Sequence, residues 1–485
     1  MSDITSIKVR MYNTGSVGDC ILLLFYVKKN ISFKMLIDCG GWQTSPADIQ
    51  RCVQDIHGET GGVLDLLVVT HQHMDHISGF NQAKSIFDTF TVHNVWMSWI
   101  ENEIDPIGII LREKYGKKVK ELKRMAKRAI AEIKKQARKE FTVVGTGRRL
   151  NRREVRMNNT LSLLEFEEGL GLGAKAAKTN DDAMKYVKDI SNNLEYRTPG
   201  EVLTMSGASG VKFFILGPPR DQDMKYFKRP EVEEELYHFK AKADQDEPVS
   251  ESLPNFVVPP GVLLEDGFSP FKKDHHMTES DLRKFWREYN STDHNWRQIE
   301  TDHLETAASI ALRVNSLLNN TSLAMAIEFG KNKKIILLPA DAQSGNWMGW
   351  HKDDVVSALK SNGGRTTKEI LNNTVFYKVG HHGSHNGTAS MSGLEQMTSP
   401  DLVAMIPVVK DKIPSAWGGP KNFPAAGLFG VLLEKTKGRV IRLDEGVVKT
   451  PEAVAQRKKL SANAAKEFKK SQGIGAFYVE YTLSE

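Results

Sequence analysis

The chain has 485 residues, 40% hydrophobic and 26% charged, a balance that excludes wholesale disorder and predicts two to four units or one large α/β core carrying inserts. No apolar run reaches the roughly 18 residues that a membrane helix needs, so no span is expected. Met1-Ser2-Asp3 opens no secretory signal, and three cysteines (Cys20, Cys39, Cys52) in apolar settings make no disulfide framework; both features predict a cytoplasmic protein.

The net charge of +6 is unevenly spread. Residues 112–156 carry 18 Lys/Arg against 5 Asp/Glu, whereas residues 221–305 carry 11 against 20. A segment of +13 and one of −9 thus interrupt a nearly neutral framework. Such asymmetry bears on partners more than on fold.

In chain order, short β-branched and aromatic stretches predict strands at 7–11, 21–26 and 33–38. The unbroken apolar run 64–70 predicts a strand buried on both faces, and 92–99 another. From 105 the texture becomes helical: Val119, Leu122, Ala126, Ala129, Ile130 and Ile133 recur at three and four, leaving Lys and Arg on the other faces. Strands return at 202–205 and 212–216. An acidic stretch follows, with a Pro/Val loop at 254–260 and a helix at 281–289. Further strands are expected at 310–314, 322–329, 335–338, 375–378 and 402–407. A helix at 425–435, a strand at 440–443, a polar helix over 452–471 and a last strand at 477–483 complete the chain. The implied organisation is one core in two halves (1–104 and 305–450) with a lone core strand at 201–220. A basic helical insertion (105–200), an acidic insertion (221–304) and a C-terminal helix and strand (451–485) are added to it.

The chemistry concentrates at strand ends. His71-Gln72-His73-Met74-Asp75-His76 follows the buried strand 64–70, where a turn can aim several side chains into one cleft. His71 and His73 can serve one metal ion, and Asp75 and His76 a second beside it. That ligand mix suits zinc, with manganese or iron as alternatives. Asp341 closes strand 335–338 and can bridge two ions. His381-His382 follow strand 375–378, and either can be a ligand. Asp38 ends strand 33–38. Each residue alone reads equally well as a cap or turn former; four polar clusters closing four apolar strands do not.

The order Asp38, His71-x-His73-x-Asp75-His76, Asp341, His381-His382 resembles the metallo-β-lactamase fold superfamily. Val17-Gly18-Asp19-Cys20-Ile21-Leu22, Leu36-Ile37-Asp38-Cys39-Gly40, Leu216-Gly217-Pro218-Pro219, Asn319-Asn320-Thr321-Ser322-Leu323 and Lys378-Val379-Gly380-His381-His382-Gly383-Ser384 resemble its ComEC-like branch, which includes the hydrolase domain of a bacterial DNA-uptake protein. The likeness covers about half the chain and leaves out both charged insertions and the tail. Where that branch often carries a histidine before a proline, this chain has Lys421-Asn422-Phe423-Pro424.

The resemblance implies an αββα sandwich with a dinuclear metal site at its edge. His71 and His73 would hold the first of two divalent ions, Asp75 and His76 the second, with Asp341 bridging and one of His381 or His382 completing the set. Asp38 would order the histidine loop through hydrogen bonds, and Asp19 is a cleft candidate in the turn before Cys20. Paired ions make hydroxide available at neutral pH, Asp75 or Asp341 can orient it, and Lys378 and Ser384 flank the pair as donors to a phosphate oxygen. A metal-dependent phosphodiesterase or nuclease is therefore expected, with nucleic acid as partner through the basic 112–156 segment. A hydrolase of a small ester, lactam or phosphorylated metabolite is the alternative. A non-catalytic protein that docks protein partners through its charged insertions is the third reading.

Overall fold

The computed structural model describes residues 3–113, 124, 180–220, 235–237, 318–414, 417 and 419–485. Two eight-stranded sheets face each other across an apolar core, and helices cover both outer faces, giving the αββα sandwich.

The first sheet draws on β1 (Ser6–Tyr12), β2 (Cys20–Val27), β3 (Asn30–Cys39), β5 (Leu66–Val69), β7 (Val95–Ser98), β8 (Leu194–Arg197), β17 (Gln472–Ile474) and β18 (Tyr478–Ser484). Their order is β17-β18-β1-β2-β3-β5-β7-β8. The short strands β4 (Val63–Leu64) and β6 (Thr91–Val92) form a separate parallel pair. The second sheet contains β9 (Val202–Leu203), β10 (Lys212–Gly217), β11 (Ala324–Phe329), β12 (Lys334–Leu338), β13 (Thr374–Lys378), β14 (Val403–Ile406), β15 (Val440–Arg442) and β16 (Gly446–Val447). These run in reverse numerical order across it.

Alternation explains the continuous apolar runs. On β2, Ile21, Leu23 and Phe25 enter the core between the sheets, whereas Leu22 and Leu24 lie under the helices. On β12, Ile336 and Leu338 point inward while Ile335 and Leu337 face the outer helices. Strands covered on both faces have no polar side to show.

Helix α1 (Pro46–Thr60) was not among the predicted elements, yet its signals are local. The Ser45 side chain accepts from Asp48 N, Pro46 opens the first turn, and Gly61 ends the helix at φ 65°. Ile49, Cys52, Val53 and Ile56 form its buried stripe. Helix α2 (Met74–Gln82) begins inside the histidine motif.

The sequence reading placed 105–200 in an insertion, but β8 pairs in parallel with β7. The helix Asn180–Asp189 adds Ala183, Met184 and Val187 to the outer core of the same sheet. The tail is equally integral: β18 pairs with β1 along its full length, from Ser6↔Ser484 to Tyr12↔Tyr478. The expected helix over 452–471 is two helices, Pro451–Arg457 and Ala462–Lys470, the second capped by Ser461. The stripe 119–133, the strand 310–314, the loop 254–260 and the helix 281–289 lie outside the described residues. No helix among the described residues is long and apolar enough to cross a membrane.

Candidate metal centre

The site forms where β2, β3, β5, β12 and β13 end. Asp19 precedes β2; Asp38 lies at the end of β3; His71, His73, Asp75 and His76 follow β5; Asp341 follows β12; and Lys378 ends β13 ahead of His381-His382. Backbone in the left-handed region marks these ends: Asp38 (φ 54°), Ala340 (φ 53°), His381 (φ 45°) and His382 (φ 52°). Non-glycine residues there cost about 1–3 kcal/mol each and persist only where surrounding packing enforces them. Two glycines let the loops close. A Cβ on Gly40 would lie 2.5 Å from the Asp75 carbonyl carbon, and one on Gly18 2.8 Å from the Asp75 oxygen.

Asp75, His76, Asp341 and His382 are all buried, and one ligand atom from each falls within 4.8 Å of the others. His76 Nε2 lies 3.2 Å from Asp341 Oδ2 and 3.8 Å from Asp75 Oδ2. His382 Nε2 lies 2.9 Å from Asp75 Oδ2 and 3.6 Å from Asp341 Oδ2. His71 and His73 stand beside this quartet, with His71 Nε2 2.9 Å from His73 Nδ1 and the His71 ring centroid 4.1 Å from that of His76.

Far-side partners fix the rings. Asp38 Oδ1 accepts Thr70 N–H at 2.8 Å, and its Oδ2 accepts Thr70 Oγ1–H at 2.7 Å and His76 Nδ1–H at 2.7 Å. His382 Nδ1–H donates to the Pro407 carbonyl at 2.9 Å, which turns Nε2 toward the carboxylates. Because the Thr70 hydroxyl donates to Asp38, it accepts from His71 Nδ1 at 3.0 Å, leaving His71 Nε2 facing His73. Such outer hydrogen bonds set tautomer and aim in metal-binding histidines.

His381 is built differently. Ser384 Oγ donates to Asn386 Oδ1 at 3.0 Å, so it accepts from His381 Nδ1 at 2.7 Å. His381 Nε2 then accepts from Asn319 Nδ2 at 3.1 Å. Both ring nitrogens are committed to neutral partners, and His382 is the member of the pair that reaches the quartet. The same chain uses the hydroxyl of Ser384, which the sequence reading offered to a phosphate oxygen. Lys378, read as a second such donor, is 1% exposed; its ammonium is paired with Asp19, donates to Ala340 O at 3.2 Å, and faces Asp341 Oδ1 at 3.7 Å.

Electrostatics favour a cation here. Asp75 Oδ1, Asp341 Oδ1 and Asp19 Oδ1 are buried and make no hydrogen bond among the described residues. Burial alone would lower the pKa of His76, but Asp341, Asp75 and Asp38 raise it well above the usual histidine range. His382 is raised too, against its burial, by Asp341 and by the hydrogen bond it donates to Asp75. Burial works against ionisation of Asp341, yet His76 and His382 hold it well below the carboxylate range. Both nitrogens of each of these two histidines face acceptors, so protons there do the work of a positive ion. Buried carboxylates with unused oxygens beside imidazole nitrogens are a donor set for a divalent ion. Burial holds His71 well below 6.5 and His381 at about 4, so both rings stay neutral.

A pH experiment follows from these shifts. His76 and His382 have folded values above the unfolded 6.5. In metal-stripped protein their contribution is therefore full below that pH and is lost as pH rises through the folded values. Denaturation midpoints in chelator should fall on going from neutral to alkaline pH. With zinc added the fall should be smaller, because the ion replaces the protons, and uptake should release protons. Identical pH profiles with and without chelator would contradict this account.

Three neutral residues of the site were not singled out as functional: Asn319, Ser322, whose Oγ lies 3.3 Å from His71 Nδ1, and Thr70. Asn319 and Ser322 lie in the Asn-Asn-Thr-Ser-Leu stretch, which was the available signal. The Metallo-beta-lactamase superfamily model matches residues 23–95, which span most of β2, all of β3 and the complete histidine motif. No curated protein matches the chain. Fold, match and ligand cluster agree on a metallo-β-lactamase-type domain, a class that points to metal-dependent hydrolysis.

Proposed function

We propose that this protein is a metal-dependent phosphodiesterase, with nucleic acid as the substrate class. The observation that carries the hydrolase reading is the buried quartet Asp75, His76, Asp341 and His382 beside His71 and His73, with carboxylate oxygens that make no hydrogen bond. The phosphodiester reading is supported by the +13 charge of residues 112–156 and by the ComEC-like motifs.

In this reading His71 and His73 would hold one ion, Asp75, His76 and His382 the other, and Asp341 would serve both. Zinc is the first candidate, with manganese and iron as alternatives. When bound, such ions supply Lewis-acid charge that makes water nucleophilic at neutral pH and offsets negative charge on a phosphoryl oxygen. Asp75 Oδ1 accepts a hydrogen of the attacking water and orients it. Asp38 keeps the imidazole of His76 aimed through Nδ1. Asp19 and Lys378 form a neutral pair behind Asp341 that fixes its carboxylate.

Metal-loaded protein should cleave bis(p-nitrophenyl) phosphate and single- or double-stranded nucleic acid, and Asp75→Ala should lose this activity. Neutralising four lysines among Lys117, Lys118, Lys120 and Lys123 should reduce the salt slope of nucleic-acid binding by about 0.7–0.9 log units per lost phosphate contact. Ready opening of lactams or thioesters, with every phosphodiester left intact, would establish the small-substrate reading instead. An unchanged salt slope would show that the basic segment serves another purpose, such as docking a protein partner.

A further inference from the structure

Gln72, the residue between His71 and His73, is held by its side chain and by its backbone. Its Nε2 donates to both carboxylate oxygens of Glu101, at 3.1 and 3.3 Å, and its carbonyl accepts from Asn180 Nδ2 at 2.9 Å. Along an extended chain, residues two apart share a side and the one between them takes the other. Accordingly His71 Nε2 and His73 Nδ1 lie 2.9 Å apart, whereas the Gln72 amide leaves toward the turn that follows β7. Whatever fixes Gln72 on one side sets the direction of both imidazoles on the other.

Glu101 is an expensive residue for its place. It ends the short turn Trp99–Glu101, is 6% exposed, and follows Trp99 and Ile100, which are buried in an apolar cluster. Burial pushes its carboxyl above the ordinary value, and Lys188 and the hydrogen bond from Gln72 oppose that rise. An apolar side chain would occupy a buried position at lower cost. Among the described residues, the hydrogen-bond partner of this carboxylate is Gln72. The helix Asn180–Asp189 secures the arrangement at two points. Asn180, itself buried, holds the Gln72 carbonyl, and Lys188 Nζ donates to Glu101 O at 3.4 Å and to Glu103 Oε1 at 2.8 Å.

We propose that Glu101, acting through Gln72, is a positioning residue for the ion that His71 and His73 would hold, with Asn180 as its counterpart on the backbone. The inference rests on the two-ion reading and deepens it, because it assigns the tie to one ion alone. His76 and His382 take their aim from Asp38 and Pro407 instead. Partners of this kind typically contribute about 10- to 100-fold to metal affinity.

The test titrates metal-stripped, full-length protein with cobalt(II) and follows the visible absorbance of the bound ion. Wild type should take up two equivalents, one of which His71→Ala removes. Glu101→Leu, which keeps the bulk and removes the acceptor, should weaken that same equivalent by about 10- to 100-fold and leave the other unchanged. Gln72→Ala, at a half-buried position, should reproduce the effect even if Glu101→Leu fails to fold. The double variant should be no weaker than either single one, as expected for two residues that act through one contact. Glu101→Gln, which retains an oxygen for the Gln72 amide, should restore most of the affinity. Two equivalents bound as in wild type by both single variants would overturn the proposal, as would equal weakening of both equivalents, the mark of a general loosening. Uptake of fewer than two equivalents by wild type would instead overturn the two-ion reading, and this proposal with it.

Discussion

Asp341→Ala is expected to remove hydrolysis and to deplete metal at both positions. Its carboxylate faces His76 at 3.2 Å, His382 at 3.6 Å and Lys378 at 3.7 Å, so its loss disturbs three charged groups of the cluster at once. Outer partners of metal ligands typically contribute about 10- to 100-fold in affinity or activity. A carboxylate that serves both ions, as proposed above, should exceed that range. Loss of activity with full metal content would mean that Asp341 serves the reaction without binding an ion. Retained activity would remove it from the site.

Lys378→Ala should produce the largest loss of stability. The ammonium is buried between Asp19 and Asp341, and removing it takes the close counter-charge from buried Asp19 and leaves Asp341 with His76 and His382 alone. Breaking a buried pair in this way costs about 3–5 kcal/mol. Bound metal offsets part of the loss at Asp341, so the variant should be most fragile in chelator. Denaturation midpoints of wild type and variant, each with and without zinc, check this. If turnover falls while stability is unchanged in chelator, Lys378 acts on substrate, as its place beside the histidine pair first suggested.

The two outcomes for Lys378 show what a sequence discloses and what it does not. The histidine motif was legible because its spacing is short and it follows an apolar run whose burial on both faces could be read directly. Asp38 stood out as the polar end of an apolar strand, but its partnership with the histidine turn came from the family resemblance and not from the pattern. The direction of a strand-end lysine was not legible, because a solvated Lys378 and a buried one share the same local sequence and only the approach of Asp19 decides. His381 and His382 are neighbours of identical chemistry, and the choice between them lies in Asn319, Ser384 and Pro407, which are remote or unremarkable in pattern. The pairing of β18 with β1 joins the two ends of the chain, and no local periodicity carries that information. Helix α1 is a different case: Ser45, Pro46 and the stripe from Ile49 to Ile56 held the signal in full.

Asp38 offers a check on the supporting shell. Its two oxygens receive three hydrogens from Thr70 and His76, so Asp38→Ala should weaken metal binding by about 10- to 100-fold without removing a ligand. Unchanged affinity would show that the imidazole of His76 is aimed by packing alone.

Metal content and chelator sensitivity, measured on the same purified protein, test the central claim most directly. Protein freed of loosely bound ions should retain close to two equivalents of zinc, manganese or iron per chain. Its hydrolytic activity should disappear in excess chelator and return when the ion is restored. Full activity in a chelated protein shown to contain no divalent ion would contradict the account.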